Sequence, residues 1–259
     1  MRLKLTLQKT GSQSTLPINY AYPLSSWIYK VIGKADETYA DFLHNSGYSA
    51  GHKRFKFFTF SALQIPRFDI RKGSDRIAVL SDEVGLMVSF YTDKAAENFV
   101  MGLFAEQEFR LGDKVSQVDF RVKQVESLAW QIPSETVHLR TLSPLVVSRK
   151  NDRGHDDYFS PLQEGYQELL FTNLLDKYIA SGQSLQASWT DVPMEFRLLS
   201  AAPKARLVTL KDHSPEATKI KGYLFDFELT APRELLEIGL LGGFGRYNAE
   251  GFGCCEVKG

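Results

Sequence analysis

Hydrophobic residues in the first half of the chain switch between strand-like and helix-like spacing. In MRLKLTLQ they occupy every second position, so the three leucines share one face of a half-buried strand. Between residues 23 and 47 they recur every three or four positions, which predicts a helix broken near Gly33 and ended near Gly47. Further along, the pattern predicts a strand over 54–65, a strand pair or one interrupted strand over 76–92, a helix over 93–105 and a strand over 108–128.

The second half repeats the order of elements found in the first. The spacing predicts a strand over 137–148, a helix over 161–180, strands over 193–201 and 220–231, a short helix over 232–241 and a strand over 251–257. Each half therefore has the order β-α-β-β-α-β of the ferredoxin-like unit. The predicted fold class is α+β, with two tandem ferredoxin-like domains over residues 1–128 and 136–259, joined within SLAWQIPSE.

The composition is that of an ordinary globular protein without a charge bias. Basic and acidic side chains number 31 each, so any surface for a nucleic acid must be a local basic patch. The two cysteines, Cys254 and Cys255, are adjacent and provide no disulfide framework, which favours a reducing compartment. The first residues lack the apolar core of a signal peptide, and no apolar run approaches the roughly 18 residues of a membrane span. We expect a cytoplasmic protein that does not bind membranes.

A glycine-rich segment, GLLGGFGRYNAEGFG (239–253), is the strongest local signal. A dinucleotide fingerprint needs a strand, glycines and then a helix, whereas here a predicted helix precedes the glycines and a strand follows them. No Gly-Lys-Ser/Thr occurs there, which excludes a Walker-type loop. The bare backbone could press against another domain or a sugar-phosphate chain. Alternatively, the glycines serve only a helix cap, a turn and a bulge.

Several blocks of the sequence carry a family resemblance. The glycine-rich segment resembles the C-terminal loop of CRISPR-associated repeat-processing endoribonucleases, the Cas-six family of the RAMP superfamily. LPINYAYPLSSWIYKVI, ADFLHNSGY and FKFFTFSAL are similar to blocks of that family's first domain, and LRTLSPLVVSRK is similar to the start of its second. The matches span nearly the whole chain in family order, and the duplicated ferredoxin-like fold that they imply agrees with the spacing pattern.

The resemblance implies metal-independent cleavage of precursor CRISPR RNA within its repeats, without a cofactor. In this chemistry the ribose 2′-OH attacks the adjacent phosphate, leaving a 2′,3′-cyclic phosphate and a 5′-OH. The reaction needs a base, an acid and positive charge on the phosphorane. A histidine suits either proton-transfer role because its ordinary pKa is about 6.5.

The resemblance also implies which residues are catalytic. His44 in FLHNSGY falls in the block that holds the family's catalytic histidine; the alternative is a surface histidine near a helix C-terminus. Tyr29 in WIYKVI matches a catalytic tyrosine, and Lys56 in FKFFTFS matches a lysine that neutralises the phosphorane in some members. A core tyrosine and a solvated strand lysine are the respective alternatives. Tyr29 can share a site with His44 only if the helix break folds the two pieces back. His52 and Lys53 are nearby rivals, and His52 could be the partner in a two-histidine mechanism.

Basic residues beside aromatics indicate where RNA would bind. HKRFKFF suits backbone contact and base stacking, although a strand that buries its phenylalanines would have the same pattern. The predicted RNA-binding residues lie in this stretch, after the first strand of the second half and in the glycine-rich segment: His52, Lys53, Arg54, Arg149, Lys150, Gly242, Gly243, Gly245, Arg246, Gly251 and Gly253.

Other signals are weak, and rival functions stay open. GHDDYF (154–159) lacks a further metal-ligand set and is interpreted as a loop, and no metal site is predicted. His138 and His213 need no special role. The expected partners are precursor CRISPR RNA, CRISPR effector subunits and a second copy of the chain. The alternatives to the nuclease are a noncatalytic RNA-binding subunit of an effector complex and, more distantly, a small-ligand sensor.

Overall fold

The computed structural model describes residues 1–186, 189, 191–212 and 214–258. The first half contains, in chain order, β1 (Arg2–Lys9), β2 (Thr15–Pro17), α1 (Ala21–Ala35), α2 (Glu37–Asp41), a π-helical turn (Phe42–Ser46), β3 (Tyr48–Ala50), β4 (Lys53–Phe55), β5 (Phe58–Phe60), β6 (Phe68–Asp69), β7 (Arg76–Val79), β8 (Glu83–Phe90), α3 (Asp93–Ala105), β9 (Glu108–Gly112) and β10 (Gln117–Ser127).

The main sheet of the first half has the strand order β5-β8-β1-β10-β9, and its neighbours are antiparallel. With α1 and α3, the strands β1, β5, β8 and β10 form a βαββαβ unit, and β9 is added at the edge beside β10. The helix predicted over 93–105 is confirmed as α3, and the predicted pair over 76–92 is confirmed as β7 and β8.

The predicted long helix is indeed interrupted, but at a different residue. Gly33 lies inside α1, and the break falls at Asp36, whose backbone is extended (φ −150°, ψ 94°). The Asp36 side chain accepts a hydrogen bond from the Tyr39 backbone N–H at 2.9 Å, so it acts as the N-cap of α2. The predicted end at Gly47 is confirmed, because Gly47 follows the π-helical turn directly.

Two predicted strands of the first half are each divided in the structure. Phe57 has a φ of +56°, which interrupts the ladder and separates β4 from β5 within the predicted strand over 54–65. The predicted strand over 108–128 is the hairpin of β9 and β10. Both stretches are rich in strand-forming residues, so spacing alone does not mark where the chain turns.

The second half contains β11 (Thr136–Thr141), β12 (Val147–Lys150), β13 (Asp156–Phe159), α4 (Tyr166–Ala180), β14 (Glu195–Leu198), β15 (Lys204–Leu210), β16 (Thr218–Leu224), β17 (Asp226–Thr230), α5 (Arg233–Gly242), a 3₁₀ helix (Asn248–Glu250) and β18 (Cys255–Val257). Its main sheet has the order β14-β17-β11-β18. With α4 and α5 these strands form a second βαββαβ unit in the same spatial order as the first. Two tandem ferredoxin-like units are therefore confirmed.

Two hairpins of the second half were not predicted as such. The predicted strand over 137–148 comprises β11 and the start of β12, which pairs with β13. The predicted strand over 220–231 comprises β16 and β17, and β16 pairs with β15 in a separate hairpin. GHDDYF, interpreted as a loop, contributes β13, so that interpretation is wrong for residues 156–159. Because this strand contains polar side chains, its hydrophobic pattern does not indicate a strand.

Each unit has its own hydrophobic core, and each core also contains a buried residue from the other unit. Ala249, from the glycine-rich segment, is buried in the core of the first unit, and Phe57 is buried in the core of the second. The Ser25 hydroxyl donates to the Ala249 carbonyl oxygen at 2.6 Å, and the Thr59 hydroxyl donates to that of Phe252 at 3.0 Å. The glycine-rich segment is thus fastened to the first unit.

The stretch between the units, residues 128–135, contains no helix or strand. The domain limits at 128 and 136 remain a prediction. No helix of the described part of the chain is long and apolar enough to span a membrane.

Candidate active site

A small cavity of about 260 Å³ lies where the two units meet. It is lined by Ser25, Ser26, Tyr29, His44, Lys56 and Glu250. The first three come from α1, His44 from the π-helical turn, Lys56 from the link between β4 and β5, and Glu250 from the 3₁₀ helix of the second unit. All three residues that the sequence marks as catalytic therefore line one cavity.

The break at Asp36 brings Tyr29 and His44 together. Although they lie fifteen positions apart in the sequence, their ring centroids are 5.4 Å apart, and the ring planes meet edge to face at 82°. The other neighbour of the Tyr29 ring is Phe58, at 5.3 Å. Burial raises the pKa of the Tyr29 phenol above its ordinary 10.0, and the charge of Glu250 raises it further. Tyr29 is therefore a neutral hydroxyl that can donate a hydrogen bond.

His44 is exposed at the mouth of this cavity. Its Nδ1 is 3.2 Å from Oδ1 of Asn45. When Nδ1 donates to that oxygen, Nε2 carries the lone pair and can accept a proton. The arrangement gives the cavity an exposed imidazole whose Nε2 can accept a proton.

The Lys56 side chain lines the same cavity and hydrogen-bonds to a backbone carbonyl group. Its Nζ donates to the carbonyl oxygen of His44 at 2.9 Å. Burial lowers the pKa of the Lys56 ammonium, the charge of Glu250 opposes this shift, and Arg54 adds to it. Such an ammonium can offer its two remaining N–H groups to a phosphate.

A larger groove of about 660 Å³ runs between the two units and reaches the same cavity, because Lys56 and Glu250 line both. Eight of the residues predicted to bind RNA line this groove: His52, Lys53, Arg54, Arg149, Lys150, Gly242, Gly245 and Arg246. Residues far apart in the sequence thus form one basic surface, although the whole chain has no net charge. A groove of this kind suits a polyanion.

Protein partners hold several of these basic side chains in place. Lys53 forms an ion pair with Asp176, and the Arg54 guanidinium donates to the Asn45 carbonyl oxygen at 2.9 Å. Arg149 lies over the ring of Phe159, with its guanidinium carbon 5.6 Å from the ring centroid. Because cation–π contact leaves the N–H groups available, Arg149 retains its capacity to bind phosphate.

Asp156 organises the far wall of the groove and was missed in the sequence. Its carboxylate pairs with Lys150 at 3.1 Å and with Arg246 at 2.6 Å, and it accepts a hydrogen bond from the Tyr247 hydroxyl at 2.5 Å. Although burial alone would raise the pKa of Asp156, the hydrogen bonds from Tyr247, Lys150 and Arg246 lower it. Two predicted RNA-binding cations thus share one internal carboxylate.

The glycines of the C-terminal segment are buried. At Gly245 (φ +67°) a Cβ would lie 2.2 Å from the Val146 carbonyl oxygen, and at Gly253 (φ +71°) it would lie 1.9 Å from that of Phe244. Packing inside the protein therefore requires these glycines. Gly242, Gly243 and Gly251 are buried as well. The backbone contact with RNA predicted for these glycines remains a prediction.

Lys177 is the anchor of this segment, and it is not among the residues predicted from the sequence. Its side chain is 1% exposed, and Nζ donates to the carbonyl oxygens of Gly243 and Gly245 (2.8 Å for Gly245) and to Oδ1 of Asn248 at 2.7 Å. Burial lowers the pKa of Lys177 to about 7. A lysine on the apolar stripe of the predicted helix over 161–180 was the signal that could have revealed it.

Glu250 was also missed, since it lies among glycines that drew attention to the backbone.

Among the described residues, no group of three or more His, Cys, Asp or Glu side chains is placed to hold a metal ion. His138 pairs instead with Glu228 at 2.5 Å, and both thiols are buried. His213 lies outside the described residues.

Comparison with known proteins gives consistent matches along the chain. Residues 15–126 match a family model described as CRISPR-associated protein Cas6, N-terminal, and residues 123–257 match one described as CRISPR associated protein Cas6, C-terminal. A curated relative, CRISPR-associated endoribonuclease Cas6 1 of Methanocaldococcus jannaschii, is 32% identical over 256 residues, covering 98% of this chain and 91% of the relative.

Two solved structures share the fold of this chain. The product of a Cas6-related gene from Pyrococcus furiosus matches with a TM-score of 0.83 and 24% identity, covering 100% of this chain and 98% of that one. A RAMP protein described as binding different RNA substrates matches with a TM-score of 0.82 and 22% identity, covering both chains completely. At these identities the two structures support the fold.

Proposed function

Because the chain belongs to the Cas6 family of CRISPR-associated proteins, we propose that it is an endoribonuclease that cleaves precursor CRISPR RNA within its repeats. The observation that carries the proposal is the small cavity in which His44, Tyr29 and Lys56 meet beside a basic groove. A proton-transfer group, a neutral hydroxyl donor and an ammonium are the functional groups that RNA transesterification needs.

The proposed reaction uses the substrate's own 2′-OH as the nucleophile. A bond forms between the 2′-oxygen and the adjacent phosphorus while the bond from phosphorus to the 5′-oxygen breaks. The 2′-OH proton passes to a base, and the leaving 5′-oxygen receives a proton from an acid. The products are a 2′,3′-cyclic phosphate and a 5′-OH, and we propose that no metal ion is required.

Each of the three residues has a proposed part in this reaction. His44 transfers protons, since its imidazole is exposed and Nε2 can accept a proton when Nδ1 bonds to Asn45. Tyr29 donates a hydrogen bond from its neutral hydroxyl, and Lys56 places positive charge beside the phosphorane. A well-placed acid or base contributes about 10²–10⁴-fold to such a rate.

The groove supplies the proposed RNA-binding surface. RNA would enter along its basic wall, where Arg149 has no hydrogen-bond partner for its side chain among the described residues and where Lys53 and Arg54 flank the link to Lys56. Stacking on exposed rings and contacts with the phosphate backbone are the usual means of binding single-stranded RNA. Contacts with effector subunits or a second copy of the chain remain predictions.

Cleavage of a repeat RNA in EDTA tests the proposal. The wild-type protein should cut the RNA, and a 2′-deoxy substitution at the cut site should abolish cutting. His44→Ala should lower the single-turnover rate by about 10²-fold or more while RNA affinity changes only a few-fold. His155→Ala is the matched control, since His155 is exposed and lines neither the small cavity nor the groove.

Three results would count against the proposal. Cutting of the 2′-deoxy RNA would remove the 2′-OH mechanism, and full activity of His44→Ala would remove His44 from it. Tight binding of repeat RNA without any cutting would identify a noncatalytic RNA-binding subunit instead.

A further inference from the structure

Glu250 places a carboxylate inside the cavity that is proposed to bind a phosphate. The 3₁₀ helix that carries it is fastened to the first unit on both sides. Ala249 is buried in the first core and accepts the hydrogen bond from Ser25 at 2.6 Å, while Thr59 holds the Phe252 carbonyl oxygen. The docked backbone therefore holds residue 250 beside the cavity that Glu250 lines.

A carboxylate near an RNA phosphate is unfavourable unless it serves another group. The charged or titratable side chains that face Glu250 are Tyr29 from α1, His44 from the π-helical turn and Lys56 from the link between β4 and β5, with Arg54 of β4 beside Lys56. Lys56 is the one among them that carries a lasting positive charge within the small cavity. Burial and Arg54 both disfavour that charge, and Glu250 favours it.

We propose that Glu250 is a positioning residue that acts through Lys56, placing its carboxylate in the cavity that Lys56 also lines and so favouring the ammonium form of that lysine. This inference rests on the proposed function, in which Lys56 stabilises the phosphorane. The second unit then supplies part of the reaction centre, since the docked glycine-rich segment carries the carboxylate. Burial also raises the pKa of Glu250 itself, and the Lys56 charge opposes that shift, so each group supports the charged form of the other.

The sign of the effect follows from these charges. Replacing Glu250 with glutamine removes the charge that favours protonated Lys56, so the Lys56 ammonium should lose its proton at a lower pH. The alkaline limb of the cleavage profile should move to lower pH, because Lys56 loses its positive charge earlier when Glu250 is neutral. RNA affinity should stay the same or increase, because a negative charge has been removed from the binding surface.

The test compares Glu250→Gln with Glu126→Gln, which removes an exposed acid on β10 and leaves the cavity unchanged. Single-turnover cleavage of repeat RNA is followed from about pH 6 to pH 10. Glu250→Gln should be slower by roughly tenfold at the alkaline end, with the acidic end nearly unaffected. Glu250→Asp should recover part of the rate. In a Lys56→Met background, Glu250→Gln should change the rate less than about twofold.

A second readout does not depend on cleavage. NMR titration of ¹³C-labelled lysine, with Lys56→Arg to assign the signal, should show Lys56 titrating at a lower pH in Glu250→Gln than in the wild type. If Lys56 titrates at a lower pH in Glu250→Gln than in the wild type but the wild type cuts no RNA, the proposed nuclease fails. The link between Glu250 and Lys56 then stands. An unshifted titration, an equal rate loss in the Lys56→Met background, or weaker RNA binding by Glu250→Gln would each overturn the inference.

Discussion

Tyr29 contributes to the site through two separable parts, its ring and its hydroxyl group. The ring contacts His44 and Phe58 edge to face, so it supports the position of the imidazole. The hydroxyl stays neutral because burial and Glu250 raise its pKa. A substitution that removes one part and keeps the other can therefore distinguish hydrogen bonding from packing.

We predict that Tyr29→Phe keeps the fold and lowers the cleavage rate by about tenfold or more, since only the hydroxyl is lost. Tyr29→Ala should also lose the ring contacts and destabilise the protein by roughly 1–3 kcal/mol. Thermal melting and single-turnover cleavage measure the two effects. An unchanged rate for Tyr29→Phe would leave Tyr29 with a packing role alone.

Single-residue roles were only partly predictable. His44, Tyr29 and Lys56 were identified through their motif blocks, and the structure places them in one cavity. Glu250 and Asp156 were not identified, because their importance depends on partners such as Lys56 and Arg246 that lie far away in the sequence. Spacing along a chain gives no information on such pairs.

At the scale of elements, the interruption between α1 and α2 decides whether a site exists. Asp36 caps α2 and marks the break, whereas the sequence pattern favours the glycine at position 33. In the structure Gly33 faces Ala40, and a Cβ added to it would lie an ordinary 3.5 Å from the Ala40 Cβ. The order of helices and strands was predictable from periodicity, whereas the positions of breaks and hairpin turns depended on single residues such as Phe57.

The glycine-rich segment depends on α4 through Lys177. We predict that Lys177→Met destabilises the protein by about 2–4 kcal/mol, because buried carbonyl oxygens lose their donor. The control Lys114→Met changes an exposed lysine and should shift the free energy of unfolding by less than about 0.5 kcal/mol. Denaturant unfolding measures both variants.

The effect of Lys177→Met on the free energy of unfolding should depend on pH. The pKa of Lys177 is about 7 in the folded protein against an ordinary 10.5, so between these values the unfolded chain binds more protons than the folded one. Stability contributed by this group therefore rises with pH across that window. The difference in unfolding free energy between the wild type and Lys177→Met should grow from about pH 7 to about pH 9. A constant difference would mean that the three acceptors keep Lys177 fully protonated.

At the scale of the whole molecule, binding of a polyanion must rely on the distribution of charge, since the 31 basic and 31 acidic residues cancel. The groove between the units concentrates cations, yet Asp156 and Asp176 already pair with several of them. Arg149 differs because its contact is with an aromatic ring. It should therefore contribute more to RNA binding than its paired neighbours.

We predict that Arg149→Ala weakens binding of all single-stranded RNAs to a similar degree. The slope of log Kd against log salt concentration should fall by about 0.7, as expected for one lost phosphate contact. Arg71→Ala, which removes an exposed arginine outside the groove, should leave both quantities unchanged. A loss confined to one RNA sequence would indicate that Arg149 reads a base.

The exchange of residues between the two cores has a consequence for synthesis. The Ser25 hydroxyl donates to the carbonyl oxygen of Ala249, which the ribosome adds 224 residues later. The first core lacks this alanine until then. A nascent chain that has emerged only halfway would hold His44 and Tyr29 but not the segment that closes the cavity around them. The small cavity is therefore complete only after the glycine-rich segment has been made and has docked on the first unit.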